Sequence, residues 1–372
     1  MIYSNLNDEN STLAIFIDFS KCFDTINRYI LLRKLEAYGI RGLPLRLFAS
    51  YLTDRHQAVR VNGTTSELKR IDTGIPQGSV LGPILYLIYV NELPTISNLF
   101  SLCLFADDTT MIFKNSNPND LVRTCNVGME VFYSWCCANR LSINVSKTNL
   151  MLFSNNLDPG DISEVYMNNV RIQYASSAKF LGIMIDDKLK FNLHINNIAQ
   201  KISKNCGIFY KLKQYVSTNT LLCIYRSFVE SYLNYCTVLF GNAYPSHLRP
   251  LETAQKKCVR IIADELPYAH STPIFHELKL LKFSDMYKLN LGVYMYKNID
   301  KFESQILRTP YHTRSGTYYV PKNVRLTLTR NQSLKFQGPS LWNILPDSLK
   351  ESPSAKSFRK KYKNMLISLY NE

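Results

Sequence analysis

The chain has 372 residues, 46% of them hydrophobic and 20% charged, with a formal net charge of +15. At roughly 100–200 residues per domain this suits two or three domains with a substantial core, and 14 Gly, 15 Pro and 12% aromatics exclude a disordered chain. The longest apolar stretch, Val80–Val90, contains Gly82 and Pro83 and falls well short of the ~20 residues of a membrane span.

Thr12–Phe19 is β-branched and apolar, the pattern of a strand buried on both faces. Asn27–Tyr38 carries Ile30, Leu31, Leu35 and Tyr38 at helical spacing and stops at Gly39, and a second helix is expected over Leu43–Leu52. Gln57–Val61 and Glu67–Ile71 flank Asn62-Gly63, a hairpin signal. Ser79 is suited to cap an apolar helix running to about Asn91. Leu99–Phe105 and Thr109–Phe113 read as strands joined by Ala106-Asp107-Asp108, Asp120–Arg140 as a helix and Thr148–Phe153 as a strand. This order predicts an α+β fold, a split βαβ, ferredoxin-like sheet backed by helices. From about Leu189 the period is helical, over Ile195–Lys213, Asn219–Val238 and Leu248–Ala263. Pro310, Pro321, Pro339, Pro346 and Pro353 are expected to break the last hundred residues into short pieces.

Three acidic residues lie where apolar strands run out. Asp18 closes the run LAIFI, and Asp107 and Asp108 form the turn between two strands. Neighbouring strands would gather these carboxylates at one sheet edge, where they repel unless neutralised. Mg²⁺ does this with few protein ligands, and paired Mg²⁺ ions serve phosphoryl displacement. An ordinary alternative stands beside this: Asp-Asp is common in turns, and Asp18 suits a turn cap.

Three further stretches bear on that choice: IDFSKCFDT over Ile17–Thr25, GIPQGSVLGP over Gly74–Pro83, and FADDT over Phe105–Thr109. With LSINVSKT at Leu141–Thr148 and FLG at Phe180–Gly182, they run in the order of the reverse transcriptases of non-LTR (LINE-type) retrotransposons, which the chain resembles over residues 12–186. GPSLWNILPDSL at Gly338–Leu349 resembles the closing segment of such proteins more weakly. The resemblance implies an RNA-directed DNA polymerase using an RNA template, a DNA primer and deoxynucleoside triphosphates. It implies Asp18, Asp107 and Asp108 as carboxylates for Mg²⁺, or Mn²⁺ in its place, and Lys147 as proton donor to the leaving pyrophosphate. Phe19, Ser20, Lys21 and Cys22 would line the triphosphate through backbone N–H groups, Phe23 would reject a ribose 2′-hydroxyl, and Gln77 and Gly78 would meet nucleotide and template. Phe180, Leu181 and Gly182 match the primer grip. Asp24 reads better as a helix-start residue than as a metal ligand.

Residues 1–150 hold 14 Lys and Arg against 13 Asp and Glu, whereas residues 151–372 hold 30 against 16, a net of +14. Such asymmetry suits a polyanionic partner, although a solvated Lys-rich surface has the same composition. Given the resemblance, the domains are expected as a palm over residues 1–186, a helical thumb over 187–265 and a basic, mainly helical region over 266–372. Lys201, Lys204, Lys211 and Lys213, with Phe209 and Tyr210 between them, would contact phosphates of the primer–template duplex.

Two departures stand out. The family's S-K-A-F-D has Cys22 at its alanine, a small apolar exchange. Only 17 residues precede Asp18, where the family has a fingers region, so the expectation is an N-terminally truncated polymerase with weak or lost activity. The alternative is a non-catalytic nucleic-acid-binding remnant. Asp8 and Glu9 exclude a secretory signal, and nine scattered cysteines without a C-x-x-C pair suit an intracellular compartment, nucleus or cytoplasm.

Overall fold

The computed structural model describes residues 2–307, 316–321 and 333–371. The chain divides into two compact units, Met1–Gly182 and Ile183–Glu372.

The first unit is built around β1 (Ser11–Ile17), preceded by α1 (Ile2–Asn7). Helices α2 (Cys22–Thr25), α3 (Arg28–Ala37) and α4 (Gly42–Leu52) follow, then β2 (Arg55–Gln57), β3 (Arg60–Val61), β4 (Thr64–Thr65) and β5 (Lys69–Ile71). Next come α5 (Gly82–Val90), β6 (Ser101–Phe105), β7 (Asp108–Asn115), α6 (Pro118–Ala138) and β8 (Asn149–Phe153). Short strands β9 (Tyr166–Met167), β10 (Val170–Arg171), β11 (Gln173–Tyr174) and β12 (Ser177–Phe180) complete the unit.

The main sheet has the order β11-β8-β1-β7-β6. β1 pairs antiparallel with β7, from Ser11↔Asn115 to Ile17↔Thr109, and with β8, from Thr12↔Phe153 to Phe16↔Asn149. With a neighbour on each side and cover on both faces, β1 is buried except at Phe16, as its apolar run demands. Leu13, Ile15 and Ile17 point into the core shared with α3, α5 and α6. On the opposite face Asn5 Nδ2 of α1 donates to Thr12 Oγ1 at 3.0 Å, and the Phe16 ring lies 6.1 Å from that of Phe180. β2 and β5 pair as one ribbon, and β3 and β4 close around Asn62-Gly63, both residues at positive φ as this tight turn requires.

The second unit begins with β13 (Ile183–Asp186) and continues as helices α7 (Asn192–Leu212), α8 (Thr218–Tyr225), α9 (Ser231–Asn234), α10 (Thr237–Phe240), α11 (Pro245–Ile262), α12 (Ser271–Glu277) and α13 (Phe283–Asn298). The single helix expected over Asn219–Val238 is broken. A π-helical turn at Arg226–Glu230 links α8 to α9, and Cys236 takes a left-handed φ of 52° before α10. Gln255 of α11 ties the unit together: its Nε2 donates to Tyr225 Oη and the Leu281 carbonyl, and its Oε1 accepts from Phe283 N–H. Pro339 does not end a helix but lies inside Leu334–Ile344, where Gly338 packs against Met295 and Ser340 Oγ donates to the Phe336 carbonyl. Pro310 lies outside the described residues. Among the described residues no helix is long and apolar enough to cross a membrane.

Candidate active site

Strand register brings the acidic residues together. Ile17 pairs with Thr109, so Asp18 and Asp108 are the next residues out along adjacent strands. Phe105 pairs with Asp108 across the β6–β7 turn, where Ala106 at φ 51° projects Asp107 from the same edge. Partial burial raises the Asp108 pKa above the usual carboxylate value; Asp107 and Asp18 push the same way, and Lys179 opposes them. The three charges are therefore neighbours, though among the described residues no set of three Asp, Glu, His or Cys side chains converges closely enough to hold a metal ion.

The Asn144 loop is stitched to this edge. Asn144 N–H donates to the Asp18 carbonyl at 2.7 Å and Ser20 N–H to the Ser142 carbonyl at 2.8 Å. The loop carries Lys147, whose Nζ lies 4.0 Å from Asp18 Oδ2, both side chains being substantially exposed. The Ser20 bond bears on the expected triphosphate lining, because that N–H already has an acceptor. Phe19 is buried with its ring 6.3 Å from Phe132, and Lys21 is exposed at a left-handed φ of 48°. Buried Cys22 has its thiol pKa raised by desolvation and by Asp107. Phe23, half-buried, stacks on Tyr86 of α5 with centroids 4.8 Å apart.

The Gly74–Gly78 loop is fastened to the same segment. Ile75 N–H donates to the Phe23 carbonyl and Gln77 Nε2 to Asp24 Oδ1 at 2.7 Å. A Cβ on Gly74 would lie 2.7 Å from the Asp24 carbonyl oxygen, so only glycine permits this approach. Arg28 closes the loop, donating to the carbonyls of Ile71, Thr73 and Gly74 at 2.6–2.9 Å. Beside it is a cavity of about 670 Å³ lined by Asp24, Arg28, Arg55, His56 and Gln77. Sequence reasoning missed Arg28 and Lys179 and gave Asp24 only a local role. Lys179 directly precedes Phe180, the one hint available; nothing marked Arg28.

Of the primer-grip residues, Phe180 packs on Phe16, and Leu181 and Gly182 both take positive φ. In the second unit, Lys201, Lys204 and Lys211 are exposed on α7, with Lys201 Nζ 5.0 Å from the Tyr232 ring centroid. Lys213 caps that helix and is already ion-paired with Asp264. Phe209 is fully buried, which removes it as a stacking residue, whereas Tyr210 is 61% exposed.

Residues 3–185 match the family described as reverse transcriptase (RNA-dependent DNA polymerase). Residues 3–185 belong to this family. It is 29% identical over 293 residues to the RNA-directed DNA polymerase from mobile element jockey of Drosophila melanogaster, covering 74% of this chain and 31% of that one. It is 27% identical over 282 residues to the probable RNA-directed DNA polymerase from transposon X-element of the same organism, covering 73% and 30%. The chain thus spans about a third of the length of these retrotransposon relatives. Among solved structures it is similar to apo telomerase from Candida tropicalis, with a TM-score of 0.41, 12% identity and coverage of 81% and 53%.

Proposed function

We propose that this reverse transcriptase chain extends a DNA primer on an RNA template, transferring nucleotidyl groups from deoxynucleoside triphosphates. The observation that carries this reading is the gathering of Asp18, Asp107, Asp108 and Lys147 at one sheet edge, inside the segment that matches the family. The sheet is then the polymerase palm, and its order β8-β1-β7-β6 is that of a ferredoxin-like βαββαβ unit. Residues 187–265 act as the thumb, and 266–372 as a basic helical extension.

The carboxylates at this edge offer only oxygen donors and their charges oppose one another, a chemistry that suits Mg²⁺ or Mn²⁺ though the three side chains do not converge on one point. Bound there, the metal supplies positive charge beside the primer hydroxyl and the phosphate under attack. The primer 3′-hydroxyl gives its proton to solvent and its oxygen bonds to the α-phosphorus, the α–β phosphoanhydride bond breaks, and pyrophosphate leaves. Lys147, exposed and close to Asp18, donates a proton to that pyrophosphate. Phe19, Lys21 and Cys22 border the triphosphate; Ser20, with its N–H engaged, does so without that donor. Phe23, braced by Tyr86, is the wall that a ribose 2′-hydroxyl would strike. Gln77, oriented by Asp24, meets nucleotide and template beside Gly78, and Phe180, Leu181 and Gly182 hold the primer end.

RNA-templated primer extension with Mg²⁺ tests this. Asp18→Asn is expected to lower the rate at least about 100-fold through loss of a metal-binding charge. Phe23→Ala is expected to raise ribonucleotide use relative to deoxynucleotide use. Extension indifferent to Asp18→Asn overturns the catalytic reading, and equal loss toward both sugars removes the gate. Binding without extension would instead favour a non-catalytic nucleic-acid-binding protein.

A further inference from the structure

Helices α7 and α11 pack side by side through Ile202, Cys206, Phe209, Ala254, Cys258 and Ile262, with Cys206 Sγ 3.1 Å from Cys258 Sγ. Above this seam lies an open groove of about 990 Å³, at the upper end of the 300–1,000 Å³ usual for ligand sites. Gly207, Tyr210, Leu266, Lys211 and Lys257 line it, as do the carboxylates of Asp264, paired with Lys213, and Glu265. Tyr210 is 61% and Leu266 56% exposed, so a large apolar surface faces water.

Gly207 is the informative residue. Glycine is among the least favourable residues in a helix interior, and the other mid-helix glycines of the unit and its neighbour have packing reasons. A Cβ on Gly128 would lie 2.6 Å from Phe113 and one on Gly292 2.9 Å from Tyr362. At Gly207 a Cβ would meet nothing within 4 Å. The protein's own packing does not require this glycine, and it lines the groove.

We infer that this groove binds unpaired nucleotides of a single nucleic-acid strand, a subsite that rests on the nucleic-acid reading above. A duplex turns its bases inward and offers phosphates and groove edges, for which an apolar surface has no use. An unpaired base has an open π face that stacks on an aromatic ring and tolerates an apolar surface. Lys211 and Lys257 line the groove to take the flanking phosphates, with no ion pair among the described residues, whereas Lys213 is held by Asp264. The exposed lysines of α7 continue the positive surface along the same helix.

Fluorescence anisotropy of the full chain with a labelled oligothymidylate, which has no secondary structure, and separately with a blunt duplex, tests the inference. Gly207→Trp fills the groove and is expected to weaken oligothymidylate binding about tenfold while sparing the duplex. Gly207→Ala, which fills part of that space, is expected to melt higher than wild type and to bind oligothymidylate more weakly while binding the duplex normally. Tyr210→Ala, an exposed change that leaves the fold intact, is expected to weaken the single-strand probe about tenfold and guards against misfolding of the tryptophan variant. Oligothymidylate binding unchanged by a folded Gly207→Trp or by Tyr210→Ala, or wild type binding duplex alone, overturns the groove and leaves the polymerase reading standing. Failure of wild type to bind either probe overturns that reading itself.

Discussion

Asp108 shows what a site of clustered carboxylates does to the fold that carries it. Its pKa is raised by partial burial and by the charges of Asp107 and Asp18. Below the ordinary carboxylate value the group is protonated in folded and unfolded chains alike and has no effect. As pH rises toward the raised value, the unfolded chain releases its proton more readily, so stability falls and remains lower above it. Asp108→Asn removes this penalty. In chelator at neutral pH it should melt above wild type, and the difference should vanish by about pH 3. Mg²⁺ should raise the melting temperature of wild type more than that of the variant, because binding to the folded state stabilises it. A variant melting at or below wild type in chelator would mean that attractive contacts, not repulsion, dominate at this carboxylate. The acidic residues were legible because strand ends are set by local rules: an apolar run fixes where β1 stops, and a short turn fixes the other edge. Lys179 was not, since its effect comes from β12, a strand without a pattern of its own.

Between elements, the contact that fixes the Gly74–Gly78 loop is the Arg28 fork at the start of α3. Its three acceptors are backbone carbonyls, which every residue carries, so no complementary side chain betrays the pairing in sequence. The Asn62-Gly63 turn and the helix starting near Asn27, whose side chain accepts from Ile30 N–H, were legible for the opposite reason: their chemistry lies within a few residues. The break after α9 defeats periodicity, because neither Tyr235 nor Cys236 is a helix breaker by type, yet Cys236 adopts the left-handed region. Arg28→Ala should destabilise the chain by about 2 kcal/mol, since half-buried carbonyls lose charge-assisted donors and recover only part of the loss from water. Arg28→Lys should restore little, because one ammonium cannot reproduce a planar fork. Urea unfolding measures both. Near-complete recovery by lysine would show that charge matters there and geometry does not.

Across the whole molecule the division of charge is as marked as the division of fold. The unit that carries the acidic edge is nearly neutral in its first 150 residues, while residues 151–372 hold a net +14. That contrast was readable from composition; which cations are free was not, because Lys213 and Asp264 find each other across 51 residues. A cation already paired releases few counterions when nucleic acid arrives, whereas an exposed one releases about 0.9 per phosphate neutralised on a duplex. The slope of log affinity against log salt therefore distinguishes the lysines of α7. Replacing Lys201 and Lys204 together by alanine should make the slope for a primer–template duplex shallower by about 2, with little dependence on sequence. Lys213→Ala should change it by much less than 1, because the lost ammonium was neutralised by Asp264. Salt-titrated binding of the three proteins reads this directly. Equal slopes for wild type and the double variant would move the duplex off this face of α7, and a full unit lost at Lys213 would mean that the Asp264 pair opens on binding.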